Sequence, residues 1–421
     1  MTSAPQNSRA LVPTAKRRRL SGMERCWLVA DRLCPPFALQ FVVETAGEVS
    51  LEALCQATEA ASRANPGAMR VLRGHVGWAT WEVTELVPAV RQVDGSHWDG
   101  TGPEGAPFLD DPLDVRQRPG AEVLLATGKP LTRMVFRFHH ALMDGGGGMR
   151  WIGDIFRALR QEACVGSADP DVIDADVARK LGAVAAEEPL AQYLAPTGVT
   201  DEANARRAWT WHRVSVAPVP RQVLPRTACA LVDVARSLNS ESGPLRLGIP
   251  VDWRRHHNLP SSTANLTGII HIEDSEFMQS TDPVAAAGEL LKARLATGQA
   301  GGTVLGAERL LWWPVSLLAW LAGGMDRRQR AGGRFTSSAA LSNLGRIDLG
   351  DWSVPGAKAS AAFWIPPPST SLPLFLGMMG HQGGLELCGT MPGVLATGGR
   401  LEALLEGLKG ELEAGVSAGR G

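Results

Sequence analysis

The stretch FRFHHALMDGGGG, Phe136–Gly148, contains two adjacent histidines, an aspartate and four consecutive glycines. Histidine is scarce in this chain, with nine among 421 residues, so a neighbouring pair is unusual. An imidazole titrates near neutrality and can accept and return a proton at physiological pH. The residues before the pair alternate loosely, as in a half-buried strand, and a strand that ends in a turn can present a side chain at a cleft. The pattern therefore favours a functional histidine over two core histidines beside a glycine turn.

The aspartate and the glycines of this stretch have their own expected roles. Asp144 is close enough in sequence to shape the turn, or to pair with a distant arginine. The glycines have no Cβ, so they permit tight backbone conformations and let a substrate approach main-chain N–H groups. Apolar residues at helical spacing in MRWIGDIFRALRQEA predict a helix that begins near Met149. The N-terminus of that helix favours developing negative charge beside the histidines.

Strands and helices alternate through the rest of the chain. FALQFVVET, Phe37–Thr45, predicts a strand, and Ser50 is a candidate N-cap of a helix that ends before Pro66. Leucines at helical spacing in Leu401–Leu412 predict a last helix packed on a core. A chain of this length exceeds one ordinary core, so we expect two mixed α/β lobes of similar size. Further strands are predicted in GWATWEV, AEVLLAT, LTRMVFRFHH, PLRLGIPVDW, TGIIHIED, FTSSAALSNLG, ASAAFWI and the hairpin LPLFLGMMGHQGGLELCGTM.

Composition excludes some classes of protein. A formal net charge of −1 argues against a nucleic-acid binder, and the basic run Lys16–Arg19 is expected in a poorly ordered tail. The six cysteines show no CxxC spacing, which favours buried thiols in a reducing compartment over a metal or redox site. LLWWPVSLLAWLAGG, Leu310–Gly324, is too short for a membrane span and contains Pro314. We expect it to form a buried helix pair rather than a membrane contact.

Three other patterns are weaker. GVSAG, Gly415–Gly419, satisfies the GxSxG pattern, but it follows a helix at the end of the chain and lacks the strand context of a nucleophile elbow. The pair His256 and His257 has no carboxylate or cysteine at ligand spacing, so we expect surface histidines and no metal site. His271 lies in a predicted strand, where polar packing is the more common outcome.

The stretch HHALMDG, His139–Gly145, matches the HHxxxDG motif of the condensation-domain acyltransferases, which this chain therefore resembles. This superfamily has the chloramphenicol acetyltransferase fold. It includes condensation domains of nonribosomal peptide synthetases, polyketide-associated and alcohol acyltransferases, and wax ester synthases. Four further stretches resemble segments of the stand-alone members: SGMERCWL, PVDWRRH, TANLTGIIHI and LSNLGRID.

The resemblance implies an α/β architecture of two chloramphenicol-acetyltransferase-like lobes that form a V around a central channel. On this basis we expect a flexible N-terminal tail over residues 1–20 and an N-terminal lobe with the motif over 21–175. A crossover linker is expected over 176–206 and a C-terminal lobe over 207–421. With no carrier or adenylation segment found, the chain is expected to act in trans.

The resemblance also implies a mechanism. His140 deprotonates or positions an acceptor for attack on a thioester carbonyl, and His139 shapes the end of the strand. The main chain around Gly145 and Gly146 stabilises the oxyanion. Asp144 is structural, in an ion pair across the lobes; Arg346 is the first choice of partner, with Arg254 or Arg255 in reserve. The channel is expected to be lined by Ser342 and Asn343.

The expected reaction transfers an acyl group to a small amine or alcohol, forming an amide or an ester in natural-product or lipid biosynthesis. The donor is a thioester of coenzyme A or of the phosphopantetheine arm of an acyl or peptidyl carrier protein, and no cofactor is tightly bound. We expect a cytoplasmic monomer with no transmembrane segment and no nucleic-acid partner. Two alternatives stay open: a wax ester or diacylglycerol type O-acyltransferase, and a non-catalytic module that recruits a carrier protein.

Overall fold

The computed structural model of the chain describes residues 15–168, 171–184, 191–239, 243–256 and 261–418. Its strands, numbered in chain order, are β1 (Arg17–Arg19), β2 (Ala38–Gly47), β3 (Arg70–Arg73), β4 (Thr80–Val83), β5 (Ala89–Asp94), β6 (Ala121–Thr127), β7 (Thr132–His139), β8 (Trp209–Val216), β9 (Arg246–Asp252), β10 (Thr267–Glu273), β11 (Ala339–Arg346), β12 (Ala357–Ile365), β13 (Leu374–His381) and β14 (Gly384–Pro392). Its helices are α1 (Gly22–Leu33), α2 (Leu51–Ala64), α3 (Gly145–Leu159), α4 (Asp174–Lys180), α5 (Val223–Leu238), α6 (Trp253–His256), α7 (Pro283–Ala296), α8 (Gly302–Ala307), α9 (Val315–Gly332), α10 (Gly393–Ala396) and α11 (Arg400–Ala418).

A five-stranded sheet in the order β12-β2-β7-β6-β5 organises the first lobe. β2 and β7 pair antiparallel with Phe41 opposite Phe136, and Phe138 follows on the same face of β7. Trp151 and Ile152 of α3 bury their side chains in the same apolar cluster. The alternation noted in the sequence therefore places every second residue of β7 against a helix, which fixes the strand that leads to the histidines.

The helix predicted after Ser50 forms as expected. The Ser50 side chain accepts a hydrogen bond from the Ala53 N–H and caps α2, which ends at Ala64 just before Asn65 and Pro66. Ala57 and Ala61 face the core of the lobe. Local capping and proline placement were thus sufficient to predict both ends of this helix.

A six-stranded mixed sheet in the order β10-β9-β11-β13-β14-β8 organises the second lobe. β11 runs parallel to its neighbours β9 and β13, and the other pairs are antiparallel. Helix α11 covers this sheet with a leucine stripe that is fully buried, as the spacing predicted; its members are Leu401, Leu404, Leu405, Leu408 and Leu412. α4, which spans the predicted boundary between the N-terminal lobe and the linker, also packs into this core through Ala175 and Val177.

Strand β12 lies within the predicted C-terminal lobe by sequence, yet it pairs antiparallel with β2 of the first sheet. A buried ion network joins the lobes nearby. Arg213 on β8 contacts Glu44 on β2 at 3.0 Å and Glu386 on β14 at 2.8 Å. The boundary predicted at residue 207 therefore does not separate the two sheets completely.

Residues 15–20, the described part of the predicted flexible tail, include a strand. Residues 1–14 lie outside the described residues, but Arg17–Arg19 form β1, which pairs antiparallel with β4. Arg18 is buried and makes an ion pair of 2.8 Å with Glu24, whose carboxylate also completes the capping box at the start of α1. The basic run is thus structural in part, because one of its three strand positions faces the interior.

The apolar run Leu310–Gly324 was predicted to form a buried helix pair, and this prediction is wrong. The run ends in the single helix α9, whose inner face packs on α1 through Leu318 and Ala319. Its outer face is exposed to solvent, as are the two tryptophans before it. Within the described residues, no helix combines the length and the apolar character needed to cross a bilayer.

The six cysteines are free thiols, and they differ in exposure. Cys34, Cys229 and Cys388 are buried, as expected for small apolar residues, and burial raises the pKa of Cys34 to about 12. The expectation fails for Cys55, which is exposed on α2, while Cys26 and Cys164 are half-buried.

Candidate active site

The histidine pair lies where β7 leaves the sheet. His139 is the last residue of β7, and the main-chain N–H of Leu142 donates to its carbonyl oxygen, which closes the turn. The next helix, α3, begins at Gly145 and not at the predicted Met149. The reason is Asp144, whose Oδ1 accepts a hydrogen bond of 2.8 Å from the Gly147 N–H and so caps the helix. The glycines are therefore the first helical turn and not a loop.

Close packing explains the four glycines. All four have helical dihedral angles, so left-handed freedom is not the reason for them. A Cβ on Gly147 would lie 2.1 Å from the carbonyl oxygen of Thr263 in the second lobe, and one on Gly148 would lie 2.0 Å from the Phe138 ring. A Cβ on Gly146 would lie 2.6 Å from Asp252. Glycine thus lets the helix start approach both its own sheet and the opposite lobe.

Asp144 is a buried carboxylate that ties the lobes together. Its Oδ2 accepts hydrogen bonds from Arg254 at 3.0 Å, from the Leu266 N–H at 2.8 Å and from the Thr267 hydroxyl at 2.8 Å. Burial alone would raise its pKa, but the Arg254 guanidinium and the main-chain donors hold the pKa below its usual value. The carboxylate therefore stays ionised and fully bonded.

The predicted ion pair between Asp144 and Arg346 is wrong, and the reserve choice Arg254 is the partner. Arg346 lies exposed at the end of β11. Arg254 follows β9, and its guanidinium also contacts Asp252 at 2.9 Å and donates to the Ala264 carbonyl. The side chain of Arg255 lies outside the described residues. Sequence alone could not rank these arginines, because the strand order decides which one meets Asp144.

The His140 imidazole lies in an aromatic setting. It stacks on Trp27 of α1 with ring centroids 4.8 Å apart, and on Phe37 at 5.8 Å. The Asn265 amide donates to the His140 carbonyl oxygen at 2.9 Å and so holds the turn from the second lobe. Burial lowers the pKa of His140 to about 4, so the ring is neutral at physiological pH. A neutral ring retains a lone pair that can accept a proton.

His139 faces the opposite way. Its Nδ1 accepts a hydrogen bond of 3.0 Å from the Ala141 N–H, which leaves the proton on Nε2, 3.6 Å from Asp31 of α1. Asp31 in turn accepts a hydrogen bond from the Phe37 N–H at 2.8 Å. This chain of contacts fixes the end of β7 against α1.

A cavity of about 300 Å³ lies between the lobes and is lined by His140. The predicted residues Gly145, Gly146, Ser342 and Asn343 line it as well. Most of the remaining wall is apolar and comes from both lobes: Leu39, Met149, Leu224, Ile249, Val251, Ile270, Leu291, Leu295, Leu344, Trp364 and Phe375. The predicted residues thus converge on one apolar cavity, although they lie about 200 positions apart in sequence.

A second cavity of about 590 Å³ lies on the His139 side. Polar and charged residues line much of it, among them Asp31, Arg32 and Arg116, and the start of α9 closes one edge. The two adjacent histidines therefore border different cavities. The His140 N–H donates to the Phe37 carbonyl oxygen and so continues the antiparallel pairing of β7, in which successive side chains point to opposite faces.

Several site residues were not singled out from the sequence. Trp27 and Asn265 lie in SGMERCWL and TANLTGIIHI, two stretches that support the family resemblance, but neither residue was assigned a role. Phe37 and Thr267 were assigned only to predicted strands. Ring stacking and the lobe-to-lobe hydrogen bonds depend on tertiary placement, so no local pattern could have indicated them.

Comparisons with known proteins agree with this architecture. No family model matches the chain, and no curated protein matches it. Several solved structures match the chain over most of its length. The first condensation domain of the calcium-dependent antibiotic synthetase, in complex with a substrate analogue, superposes with a TM-score of 0.65 at 14% identity, covering 95% of this chain and 96% of that one. The chain has the condensation-domain fold.

Two further structures with this fold are informative. A mutant starter condensation domain of rhizomide synthetase, in complex with C8-CoA, has a TM-score of 0.62 at 14% identity, with 96% of this chain and 95% of that one covered. Polyketide synthase associated protein 5 from Mycobacterium tuberculosis has a TM-score of 0.61 at 16% identity, with 96% and 99% covered. The predicted fold class is confirmed, and identities this low speak for the fold alone.

Proposed function

We propose that this chain is an acyltransferase that moves an acyl group from a thioester to an amine or alcohol acceptor. The observation that carries the proposal is the neutral His140 ring on the wall of an apolar cavity between the lobes. The start of α3 borders the same cavity. A base, an apolar chamber and free main-chain donors are the groups that acyl transfer requires.

His140 acts as the general base in this proposal. Its Nδ1 is buried within the described part of the chain, so we assign the other ring nitrogen, Nε2, to the acceptor. The stacked rings of Trp27 and Phe37 limit rotation of the imidazole. A base with a lowered pKa is unprotonated at every pH near neutrality, so it is always able to accept a proton. The same lowered pKa makes it a weaker base.

The proposed reaction is a nucleophilic acyl transfer. His140 Nε2 takes the proton from the acceptor O–H or N–H while the acceptor oxygen or nitrogen attacks the thioester carbonyl carbon. The carbon–sulfur bond then breaks, the thiolate leaves, and the proton on His140 is returned to it. An ester or an amide and a free thiol are the products.

The developing oxyanion is assigned to the first turn of α3. Within the described part of the chain, the main-chain N–H groups of Gly145 and Gly146 have no hydrogen-bond acceptor, as expected at a helix start. Both residues border the cavity. Because the helix N-terminus carries partial positive charge, these donors favour negative charge on the carbonyl oxygen.

The donor is proposed to be a coenzyme A or carrier-protein thioester with an apolar acyl chain. The apolar wall of the cavity matches such a chain, and the rhizomide synthetase domain of the same fold was solved with C8-CoA. Ser342 and Asn343 are proposed to contact the thioester or the acceptor from the second lobe. A lipid alcohol, as in wax ester or diacylglycerol type transferases, is a second candidate acceptor, which the exposed apolar face of α9 favours.

The test is transfer by a His140→Ala variant. A panel of acyl thioesters is incubated with mixed amine and alcohol acceptors, and acylated products are detected by intact mass. The variant should lose at least ~100-fold in rate, the smallest contribution typical of a general base. His97→Ala, at an exposed histidine, serves as the control and should keep full activity. Full activity of His140→Ala contradicts the proposal, and carrier binding without turnover by the wild type supports the recruitment module instead.

A further inference from the structure

The outer face of α9 exposes large apolar side chains at helical spacing. Leu317 precedes Trp320 by three residues and Leu321 by four, and Met325 follows Leu321 by four. Trp320 and Met325 are 70% and 57% exposed. Residues at this spacing share one side of a helix, so they form a continuous stripe. Single exposed apolar residues are ordinary on a protein surface, whereas a contiguous patch indicates a binding surface.

Two tryptophans before α9 and one from the first lobe widen this stripe. Trp312 and Trp313 directly precede the helix, and Trp312 is 62% exposed. The exposed Trp78 ring meets the Trp312 ring edge to face, with centroids 5.7 Å apart. We call this surface the tryptophan face; its members are Trp78, Trp312, Trp313, Leu317, Trp320, Leu321 and Met325.

Packing fixes the direction of the tryptophan face. The opposite side of α9 buries Leu318 and Ala319 against Val29 of α1. Rotation of the helix to bury Trp320 would expose these core residues, so the apolar stripe stays outward unless a partner covers it. An apolar face that the described residues leave uncovered points to an intermolecular role.

Positive charge borders the tryptophan face. Arg328 continues the stripe, three residues after Met325, and Arg327 is exposed beside it. The acidic residues of the same segment are held inward: Asp326 bonds the Thr370 hydroxyl, and Glu308 accepts from the Gly22 N–H at 2.7 Å. In a chain of net charge −1, this surface is therefore locally basic.

We propose that the tryptophan face docks this chain on the surface of a bilayer that contains anionic lipid. Indole rings favour the boundary between headgroups and acyl chains, where an apolar body and a polar N–H are both accommodated. Arginines next to them gain from negative headgroups. A helix with one apolar side and an opposite side packed on protein lies in the plane of the interface. Binding is peripheral, because α9 does not combine the length and the apolar character needed to span a bilayer.

The experiment is co-sedimentation of the full chain with vesicles. One set contains phosphatidylcholine alone, and the other contains phosphatidylcholine mixed with phosphatidylglycerol. The wild type should bind the mixed vesicles more tightly, and added salt should weaken this binding. Trp320→Glu should lower the partition coefficient at least ~10-fold, because it removes an aromatic anchor and adds a repelled charge. Arg328→Gln should lower it about fivefold on anionic vesicles alone.

Val165→Glu provides the matched control. Val165 is also an exposed apolar residue, but it follows α3, where its N–H donates to Asp154, and it is not a member of the tryptophan face. This variant should bind vesicles like the wild type. Absence of wild-type binding to phosphatidylglycerol vesicles overturns the proposal, and so does equal binding by Trp320→Glu. A dimer that Trp320→Glu converts to a monomer, without vesicle binding, overturns it in favour of a second copy of the chain.

Discussion

Replacing Asp144 by asparagine should lower the free energy of unfolding by about 3 kcal/mol. The carboxylate accepts four hydrogen bonds, one from the start of α3 and three from the second lobe. An asparagine has one carbonyl oxygen and one NH2 group. Either the Gly147 N–H or the three donors of the second lobe would therefore meet the NH2 group instead of an acceptor.

The magnitude follows from what remains after the change. Removing one partner of a buried ion pair typically costs about 3–5 kcal/mol, because the other charge is left uncompensated. Arg254 retains its ion pair of 2.9 Å with Asp252, so its charge stays partly compensated and the lower end of that range is expected. Thr267→Val removes a single hydrogen bond to the same carboxylate and should cost roughly 1–2 kcal/mol. The two variants thus form a graded pair.

The assay is urea unfolding at neutral pH, with transfer activity measured on the same preparations. The pKa of Asp144 is lowered in the folded state, so its contribution is present above the ordinary value of 3.8 and is lost as pH falls through the folded pKa. The stability difference between wild type and Asp144→Asn should therefore shrink in acid. A variant that unfolds within ~0.5 kcal/mol of wild type but loses transfer would refute the structural role.

The remaining predictions concern pH and packing. Because burial lowers the pKa of His140 to about 4, kcat/KM should be flat between pH 6 and 8 and should fall only as pH approaches 4; a midpoint near 6.5 would contradict this. Burial raises the pKa of Asp174 to about 8. Between pH 3.8 and about 8 the folded chain therefore keeps a proton on Asp174 that the unfolded chain has released, so the free energy of unfolding declines as pH rises through this range. Asp174→Asn should therefore raise the free energy of unfolding at pH 8 by roughly 2–4 kcal/mol in thermal melts, and an unchanged pH dependence would count against the buried proton. Gly147→Ala should lower the free energy of unfolding by roughly 1–3 kcal/mol, because the added Cβ would contact Thr263. Gly153→Ala, in the same helix, should stabilise the chain slightly, because no described atom lies within 4 Å of its added Cβ. Equal effects of the two variants would show that packing is not the reason for the glycines.

Local patterns predicted much of the architecture. The strands around FALQFVVET and the histidine pair, the helix after Ser50 and the last helix all form where alternation, capping or a leucine stripe placed them. The hairpin of β13 and β14 turns at His381–Gly384 as the glycines indicated. These features depend on neighbours within a few residues, and this information is present in a single sequence.

Features that depend on strand order could not be predicted. Arg254 meets Asp144 because β9 and β10 approach the start of α3, and nothing local distinguishes Arg254 from Arg346. The exposed side of α9 was missed for a related reason: hydrophobicity indicates burial on average, but only the packing on α1 shows which side is covered. The stacking of Trp27 on His140 likewise joins residues more than one hundred positions apart.

Strand β12 has a consequence for chimeric proteins built from members of this fold. A first lobe expressed without β12 would leave β2 as a bare edge with unpaired main-chain groups, and such edges promote aggregation. A second lobe expressed alone would carry a long unpartnered ribbon between β11 and β13. Swapping lobes as cassettes at residue 207 should therefore fail, whereas exchanges that transfer β12 together with the first sheet retain every edge in its native pairing.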